Sequence, residues 1–440
     1  MKTSNTPLTV GLYTLGCKVS QYETEAIAER FEERGYLVRP FGEPCDVYVI
    51  NTCTVTAESD AKSRKMIRRA KKLSPDSRIL VCGCYTQRSP EEVIAMSEVN
   101  AVIGTGGKLA LVDIAERLLS GEDKILSVTD VEKESFEPMC IRRSPRTRAY
   151  VKIEDGCECR CAYCAIPSAR GRVRSKPMAD VISEVEALSR SGVSEIVLTG
   201  IETGSYGVDL GMKNGLAELL TVLDERKSAE RIRLGSLAPE LVGREFAERV
   251  SRLKSLAPHF HISIQSGSDR VLRGMRRRYS REMALENIRY LKRLIPGATF
   301  TTDLMVGFPG ETEEDFLDTV SFAREVGFID AHVFAYSGRR GTPAVSMKDQ
   351  VPPEVKRARS ERLIGEIGKI SAEAVSLNAP IGKTLSAVLE SRSGEYVAAH
   401  SDSYIEIMVE GVEDESLLGK ICDVMITRTE GKIAFGRLIL

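Results

Sequence analysis

The sequence predicts a three-part α/β protein: an N-terminal doubly wound parallel sheet, a central partial (βα)6 barrel and a small C-terminal β-barrel. Three observations lead there. Short apolar strands alternate with helical stretches from Thr9 to Ser120 and again from Ala149 to Tyr336, the signature of parallel βαβ sheets. Cysteines fall just after several of the strand ends, where open α/β sheets and barrels carry their ligands. Beyond Pro380 the pattern changes to five short strands with Gly394, Gly411 and Gly431 at or near their turns, as in small closed barrels that hold oligonucleotides. A chain of 440 residues exceeds one ordinary core. The expected division is 1–122 for the first domain, 123–147 for a charged Pro/Ser-bearing linker, 148–350 for the barrel, 351–376 for a linking helix and 377–440 for the β-barrel.

In order, the first domain reads as strands Thr9–Thr14, Asp46–Asn51, Arg78–Val81 and Ala101–Ile103. The helices between them are Tyr22–Arg34, Ser59–Leu73, Pro90–Met96 and Leu109–Ser120. The central barrel reads as strands Ala149–Glu154, Glu195–Thr199, Arg231–Ser236, His261–Gln265, Thr299–Val306 and Ala331–Tyr336. Its helices are Met178–Ser191, Gly215–Arg226, Leu241–Leu253, Arg281–Ile295 and Thr312–Val326. Phe316, Val320, Ala323 and Val326 form the apolar stripe of the last helix, and Thr312 with Asp315 reads as the capping box that opens it. Pro352–Leu377 reads as the linking helix. Strands Thr384–Glu390, Glu395–Ala399, Tyr404–Val409, Ile421–Thr429 and Lys432–Leu440 complete the chain.

Composition excludes several classes. With 62 basic against 63 acidic residues, there is no global polycation, and any RNA contact must be a local patch. No run of eighteen apolar residues exists, so no membrane span is expected. Met1 to Pro7 leads straight into a strand without the apolar core of an export signal. Eleven cysteines in such a chain read as cytoplasmic, where patterned cysteines favour metal over disulfide.

Gly156-Cys157-Glu158-Cys159-Arg160-Cys161-Ala162-Tyr163-Cys164 is the most informative run. Cys157, Cys161 and Cys164 can hold three irons of a 4Fe–4S cube. No fourth ligand lies nearby, so one iron stays open to a substrate or cofactor. Cys17, Cys53 and Cys84 lie 36 and 31 residues apart, about one βα unit each. Each follows a strand end, so the three would converge on one sheet edge as a second trio with an open position. Soft thiolates also suit zinc. Cys45, Cys82, Cys140 and Cys422 read as small buried hydrophobes, and Cys159 as either a cluster neighbour or a solvent-facing thiol. His259, His261, His332 and His400 read as packing or surface residues. Thr105-Gly106-Gly107-Lys108 lacks the full phosphate-loop spacing and reads as a helix start.

The loop with Tyr163 before its third cysteine resembles that of the radical S-adenosylmethionine (SAM) enzymes. Gly16-Cys17-Lys18-Val19, Asn51-Thr52-Cys53-Thr54 and Gly83-Cys84-Tyr85-Thr86-Gln87 resemble the N-terminal domain of the radical SAM methylthiotransferases. So do Ala165 to Ser175, His261 to Ser268, Val306 to Thr312 and Tyr336 to Pro343. The resemblance covers nearly the whole chain, including a TRAM-like C-terminal barrel. The Gly-Cys-Lys-Val string is similar to the branch acting on threonylcarbamoyladenosine of tRNA. Other branches modify isopentenyladenosine or a ribosomal-protein aspartate. Ser20, Glu158-Cys159-Arg160 and Gly338 depart from the family pattern but spare the ligand positions.

The resemblance implies two 4Fe–4S clusters, SAM on the Cys157/Cys161/Cys164 cluster, and sulfur presented by the Cys17/Cys53/Cys84 cluster. It implies addition of a methylthio group to carbon 2 of the adenine in the anticodon loop. It also implies an electron donor such as flavodoxin or ferredoxin. Gly200, Gln265, Ser266, Asp303 and Gly307 are the implied SAM neighbours; Thr199-Gly200-Ile201-Glu202 stands where the superfamily often carries Gly-Gly-Glu, with Gly307–Gly310 alternatively a simple turn. For RNA phosphates the candidates are Lys62, Arg64, Lys65, Arg68, Arg69, Lys71 and Lys72 on one helix, and Arg170, Arg172 and Arg174 beside the cysteine loop. The competing class is a non-catalytic iron–sulfur RNA-binding redox sensor.

Overall fold

The computed structural model describes residues 7–439. The expected absence of an export signal at residues 1–6 and the last residue of the expected strand Lys432–Leu440 lie outside them. The first domain is a six-stranded parallel sheet in the order Leu37–Arg39, Thr9–Thr14, Val47–Thr52, Arg78–Gly83, Ala101–Ile103, Ile125–Ser127. Two edge strands exceed expectation. Leu37–Arg39 is short and partly exposed, and its apolar content is too slight to announce a strand. Ile125–Ser127 falls in the segment expected as linker; farther along that segment Val131, Met139 and Ile141 are also buried.

The central strands follow one another in parallel: Arg148–Lys152, Glu195–Thr199, Arg231–Leu234 with Ser236–Leu237, His259–Gln265, Thr299–Val306 and Asp330–Ala335. Gly235 lies between the two pieces of the third, where a Cβ would stand 2.9 Å from Thr203 Oγ1 and 3.2 Å from the Leu198 carbonyl. Among the described residues the first and last strands do not pair, so the barrel is partial. Helix Lys18–Glu33 of the first domain packs over the first barrel strand. There Tyr22 donates its hydroxyl proton to Met139 O at 2.7 Å, with Glu184 Oε1 at 3.0 Å. The capping box forms as expected, Thr312 and Asp315 serving each other's backbone.

Helix Pro353–Asn378 lies against the last barrel strand, burying Leu363, Ile367 and Ile370. The C-terminal strands Thr384–Ser393, Tyr396–Ser401, Glu406–Glu410, Ile433–Leu438 and Ile421–Glu430 close into a barrel. A parallel pairing between Glu406–Glu410 and Ile433–Leu438 completes the ring.

One carboxylate ties this small barrel to the central one. Glu195, fully buried, pairs with Arg148 at 2.8 Å, Arg231 at 3.3 Å and Arg233 at 2.7 Å. Those arginines then reach across: Arg231 to Ser386 Oγ at 2.7 Å, Arg233 to the Ser401 and Asp402 carbonyls, and Arg148 to Glu390. Burial alone would raise the Glu195 carboxyl; Arg233, ahead of Arg148 and Arg231, overrides it and holds the group at about 2. A depressed carboxyl stabilises the fold above its unfolded range near 4.5 and loses that contribution as pH falls toward 2. Glu195→Gln should therefore cost about 3 kcal/mol at neutral pH. The gap from the parent should shrink as pH drops below about 4.5, which a urea titration repeated across pH would read.

Candidate metal centres and cofactor pocket

Cys17, Cys53 and Cys84 follow Thr9–Thr14, Val47–Thr52 and Arg78–Gly83, adjacent strands of the first sheet. Strand order thus brings three residues remote in sequence to one sheet edge. A Cβ on Gly16 would stand 3.1 Å from Cys53 Cβ and 3.4 Å from its sulfur. Gly16 also sits at φ +116°, where only glycine is at ease. Burial pushes the Cys53 thiol up to about 11, with Cys84 and Cys17 adding to the rise. Burial raises Cys84 as well, opposed by Arg170 and reinforced by Cys17. The three sulfurs are near enough to act on one another's charge. Two N–H donors point at them: Val55 N lies 3.5 Å from Cys53 Sγ, and Arg170 Nε 3.3 Å from Cys84 Sγ.

The second trio lies on the loop between Glu154–Asp155 and helix Ile166–Arg170. Gly156 opens the loop at φ +88°, and a Cβ there would run into the Arg172 carbonyl at 1.9 Å. The loop is pinned at its centre: Ala162 N donates to Met275 O and Ala162 O accepts from Ala344 N, each at 2.9 Å. Again N–H donors face sulfur, Ile166 N at 3.4 Å from Cys164 Sγ and Arg277 Nη1 at 3.3 Å from Cys161 Sγ. Burial pushes Cys164 up to about 12. Cys159 is half-buried, and its interaction with Cys157 raises the Cys157 thiol and lowers that of Cys159. Among the described residues no Cys, His, Asp or Glu group closes to the spacing of a single metal ion. Two all-cysteine trios, each met by amide and guanidinium donors, fit the thiolate set of iron–sulfur clusters.

A cavity of about 200 Å3 lies where the two domains meet, lined by Val55, Thr56, Cys164, Gln265, Asp303 and Tyr336 among others. Gln265 sits at φ +66° beside a register shift in its strand pairing, the kind of strain that collects at functional sites. Burial would raise the Asp303 carboxyl, but His261 Nε2 and His332 Nδ1, each 3.2 Å away, hold it well below its usual range. Other expected neighbours face elsewhere. Ser266 is buried, its hydroxyl engaged by Thr319 and the Ser268 amide. Gly307 makes room for Lys356, 2.4 Å from where its Cβ would be, and donates its N–H to Glu311. Gly200 makes room for Glu154, whose Oε2 then accepts from Ile201 N and Glu202 N. Glu202 is buried beside the cysteine loop, accepts from Ala238 N at 3.0 Å, and is pushed up to about 8, chiefly by burial.

Several surface expectations change. Arg170 and Arg174 are buried ion-pair partners, unavailable to RNA, whereas Arg172 is exposed. Along helix Ala57–Leu73, Lys62, Lys65, Arg68, Arg69 and Lys72 face solvent. Cys140 is exposed where a buried residue was expected, and Cys422 is half-buried; Cys45 and Cys82 are buried. Lys108 is buried and paired with Glu23 at 3.3 Å, so its ammonium serves the fold.

The radical SAM superfamily model matches residues 151–323, and the model of the uncharacterized protein family UPF0004 matches 9–104. The threonylcarbamoyladenosine tRNA methylthiotransferase MtaB of Bacillus subtilis is 41% identical over 426 residues, 96% of this chain and 94% of that protein. The chain belongs to the radical SAM tRNA methylthiotransferases. A second MtaB, from Aquifex aeolicus, is 35% identical over 95% of this chain and all of its own length. The tRNA-2-methylthio-N(6)-dimethylallyladenosine synthase of Pelotomaculum thermopropionicum is also 35% identical, over 94% of each chain. Among solved structures, the radical SAM methyltransferase TsrM of Kitasatospora setae shares the fold, with TM-score 0.56, 18% identity and 77% coverage of each chain. As a radical SAM enzyme the methylthiotransferase works with a 4Fe–4S cluster and SAM. No helix among its described residues is long and apolar enough to cross a membrane.

Arg170 joins the two halves of this site. Its guanidinium lies 2.8 Å from Glu23 Oε1 and 3.1 Å from Asp155 Oδ1, with Nε on Cys84. Arg170→Met would take one of three cations from each of two buried carboxylates, so the methylthiotransferase should lose about 2–3 kcal/mol. Chemical denaturation of the variant against the parent measures this, and a loss below about 1 kcal/mol would contradict the assignment.

Proposed function

We propose that this methylthiotransferase replaces the hydrogen on carbon 2 of N6-threonylcarbamoyladenosine, in the anticodon loop of tRNA, with a methylthio group. The carrying observation is two cysteine trios whose loops flank one cavity lined by both domains. One 4Fe–4S cluster would sit on Cys157, Cys161 and Cys164, and a second on Cys17, Cys53 and Cys84. A carbon-bound hydrogen of an adenine ring is beyond side-chain bases near neutral pH. When bound, the clusters and SAM supply the electron, the radical that removes hydrogen, and the sulfur and methyl of the new group.

The chain's own residues hold that chemistry in place. Arg277 and Ile166 N–H offer hydrogen bonds to the sulfurs of one trio, Arg170 and Val55 N–H to those of the other. Gln265 and Asp303, on the cavity wall, are the proposed SAM contacts, with Glu202 beside the loop for its amino group. Ser266, Gly200 and Gly307 support the turns that carry them. The choice of threonylcarbamoyladenosine is supported by the MtaB relative at 41% identity, above the 35% of the dimethylallyladenosine synthase, and by Lys18 following Cys17. A flavodoxin or ferredoxin would supply electrons in the cytoplasm.

Two measurements test this. A deletion strain analysed by nucleoside mass spectrometry should lack the methylthio form of threonylcarbamoyladenosine. Loss of the methylthio dimethylallyl nucleoside instead would assign the other branch, and an unchanged profile would reject both. Anaerobic protein should bind iron and sulfide for two cubes, and Cys17→Ala or Cys157→Ala should each lose about half the iron, since ligation needs every thiolate of its set.

A further inference from the structure

A second cavity, also about 200 Å3, lies within the central barrel. Arg148, Tyr150, Arg233, His259 and His261 line it, with Tyr404 from the small barrel and Lys18 from the first domain. It adjoins the cavity between the cysteine trios: Asp303 lines the latter, and its partners His261 and His332 line the former.

The charges on its wall are unevenly satisfied. Arg148 and Arg233 share Glu195. Asp303 is held by two histidines, and Asp330 by Lys432 at 3.2 Å. Lys18 is different: among the described residues it has neither an ion pair nor a hydrogen bond, although it is half-buried on the wall. The hydroxyls of Tyr150 and Tyr404 likewise have no hydrogen-bond partner there. Tyr404 holds its place at φ +65°, a conformation a bulky residue adopts only when its surroundings impose it. It is stacked on His259 with ring centroids 4.5 Å apart. An unpaired ammonium and two unpaired phenols around a small cavity make a site for an anion with several acceptor oxygens.

We propose that Lys18, with Tyr150 and Tyr404, binds the threonine carboxylate of the modified adenine and so selects this substrate over one with an apolar N6 group. This rests on the threonylcarbamoyladenosine reading above. The geometry suits it because the N6 substituent and carbon 2 lie on the same edge of the purine. With carbon 2 presented to the cavity between the trios, the N6 arm points onward into the barrel. Lys18 directly follows Cys17, so the residue that reads the arm is fixed to the trio assigned to sulfur. A dimethylallyl arm would cover the ammonium without pairing it, which discriminates against that substrate.

The test uses reconstituted holoenzyme and an anticodon stem-loop RNA carrying N6-threonylcarbamoyladenosine as the free acid or as its methyl ester. The parent should favour the acid by roughly 10- to 100-fold in Kd, the worth of a hydrogen bond to a charged group. Lys18→Met should abolish that preference by weakening the acid alone, and Lys18→Arg should restore most of it. Equal weakening of acid and ester, or a preference that survives Lys18→Met, overturns the proposal. Should Lys18→Met lose iron, Tyr404→Phe on the small barrel carries the same comparison, with a smaller loss for the acid expected and none for the ester. A parent that modifies neither RNA refutes the substrate reading itself, and the carboxylate site falls with it.

Discussion

The arrangement depends on a buried ion network centred on Glu23. This carboxylate, on the helix that starts just after Cys17, meets Arg170 at 2.8 Å, Lys152 at 3.0 Å and Lys108 at 3.3 Å with no solvent exposure. Asp155 adds Lys152 at 2.6 Å and Arg174 at 3.6 Å. Such groups are costly to desolvate, and only dense pairing offsets the cost. Burial would raise the Glu23 carboxyl, and Arg170, Lys108 and Lys152 together hold it well below its ordinary value. The partners come from the end of the first sheet, the first barrel strand, the turn after it and the helix beyond the cysteine loop. Lys152 and Arg170 each bridge both carboxylates, so neither can shift without weakening two pairs at once. The network therefore fixes the helix that begins at Cys17 against the loop that carries the other trio.

Its charge balance points the same way. Four cations, Lys108, Lys152, Arg170 and Arg174, face two carboxylates, Glu23 and Asp155. The surplus is directed: Arg170 turns its Nε to Cys84. Arg277 plays the matching part at Cys161, with burial opposing and Tyr279, Tyr163 and Cys161 favouring its charged form. A surplus of buried positive charge is unfavourable beside neutral thiols and favourable beside thiolates. Protein fields of this sign suit sulfurs that carry negative charge, and both trios lie in one.

Much of this was legible in the sequence because it depends on periodicity and on strand ends. Thr9–Thr14, Ala101–Ile103, Glu195–Thr199 and Thr299–Val306 are bounded as read, since turn residues punctuate them. The first helix starts at Lys18 rather than Tyr22 because its N-cap, Cys17, has no side-chain cap to announce it. The cysteine trios were legible because sheet order converts sequence spacing into proximity. Side-chain direction was not. Arg170, Arg172 and Arg174 look alike in the sequence, yet only the middle one reaches solvent. Ser266 follows Gln265 but turns into the packing beneath Thr319. Lys18 stood within a motif without any sign that its ammonium is unpaired, because that depends on what the barrel interior fails to provide.

The small barrel does more than present a surface. Its turn at residues 401–404 closes the central barrel at the ends of the strands opposite the cysteine loop. Arg233 donates to the Ser401 and Asp402 carbonyls, Thr299 Oγ1 to Ser403 O at 2.5 Å, and Tyr404 stacks on His259. Backbone carbonyls held by buried arginines leave little play in that turn, since releasing either partner strands a polar group away from water. The same turn brings Tyr404 onto the wall of the cavity that Lys18 also lines. A small β-barrel docked this way couples its own attachment to the shape of the cavity. The cavity that Lys18, Arg148 and Tyr404 line is therefore bounded by all three domains.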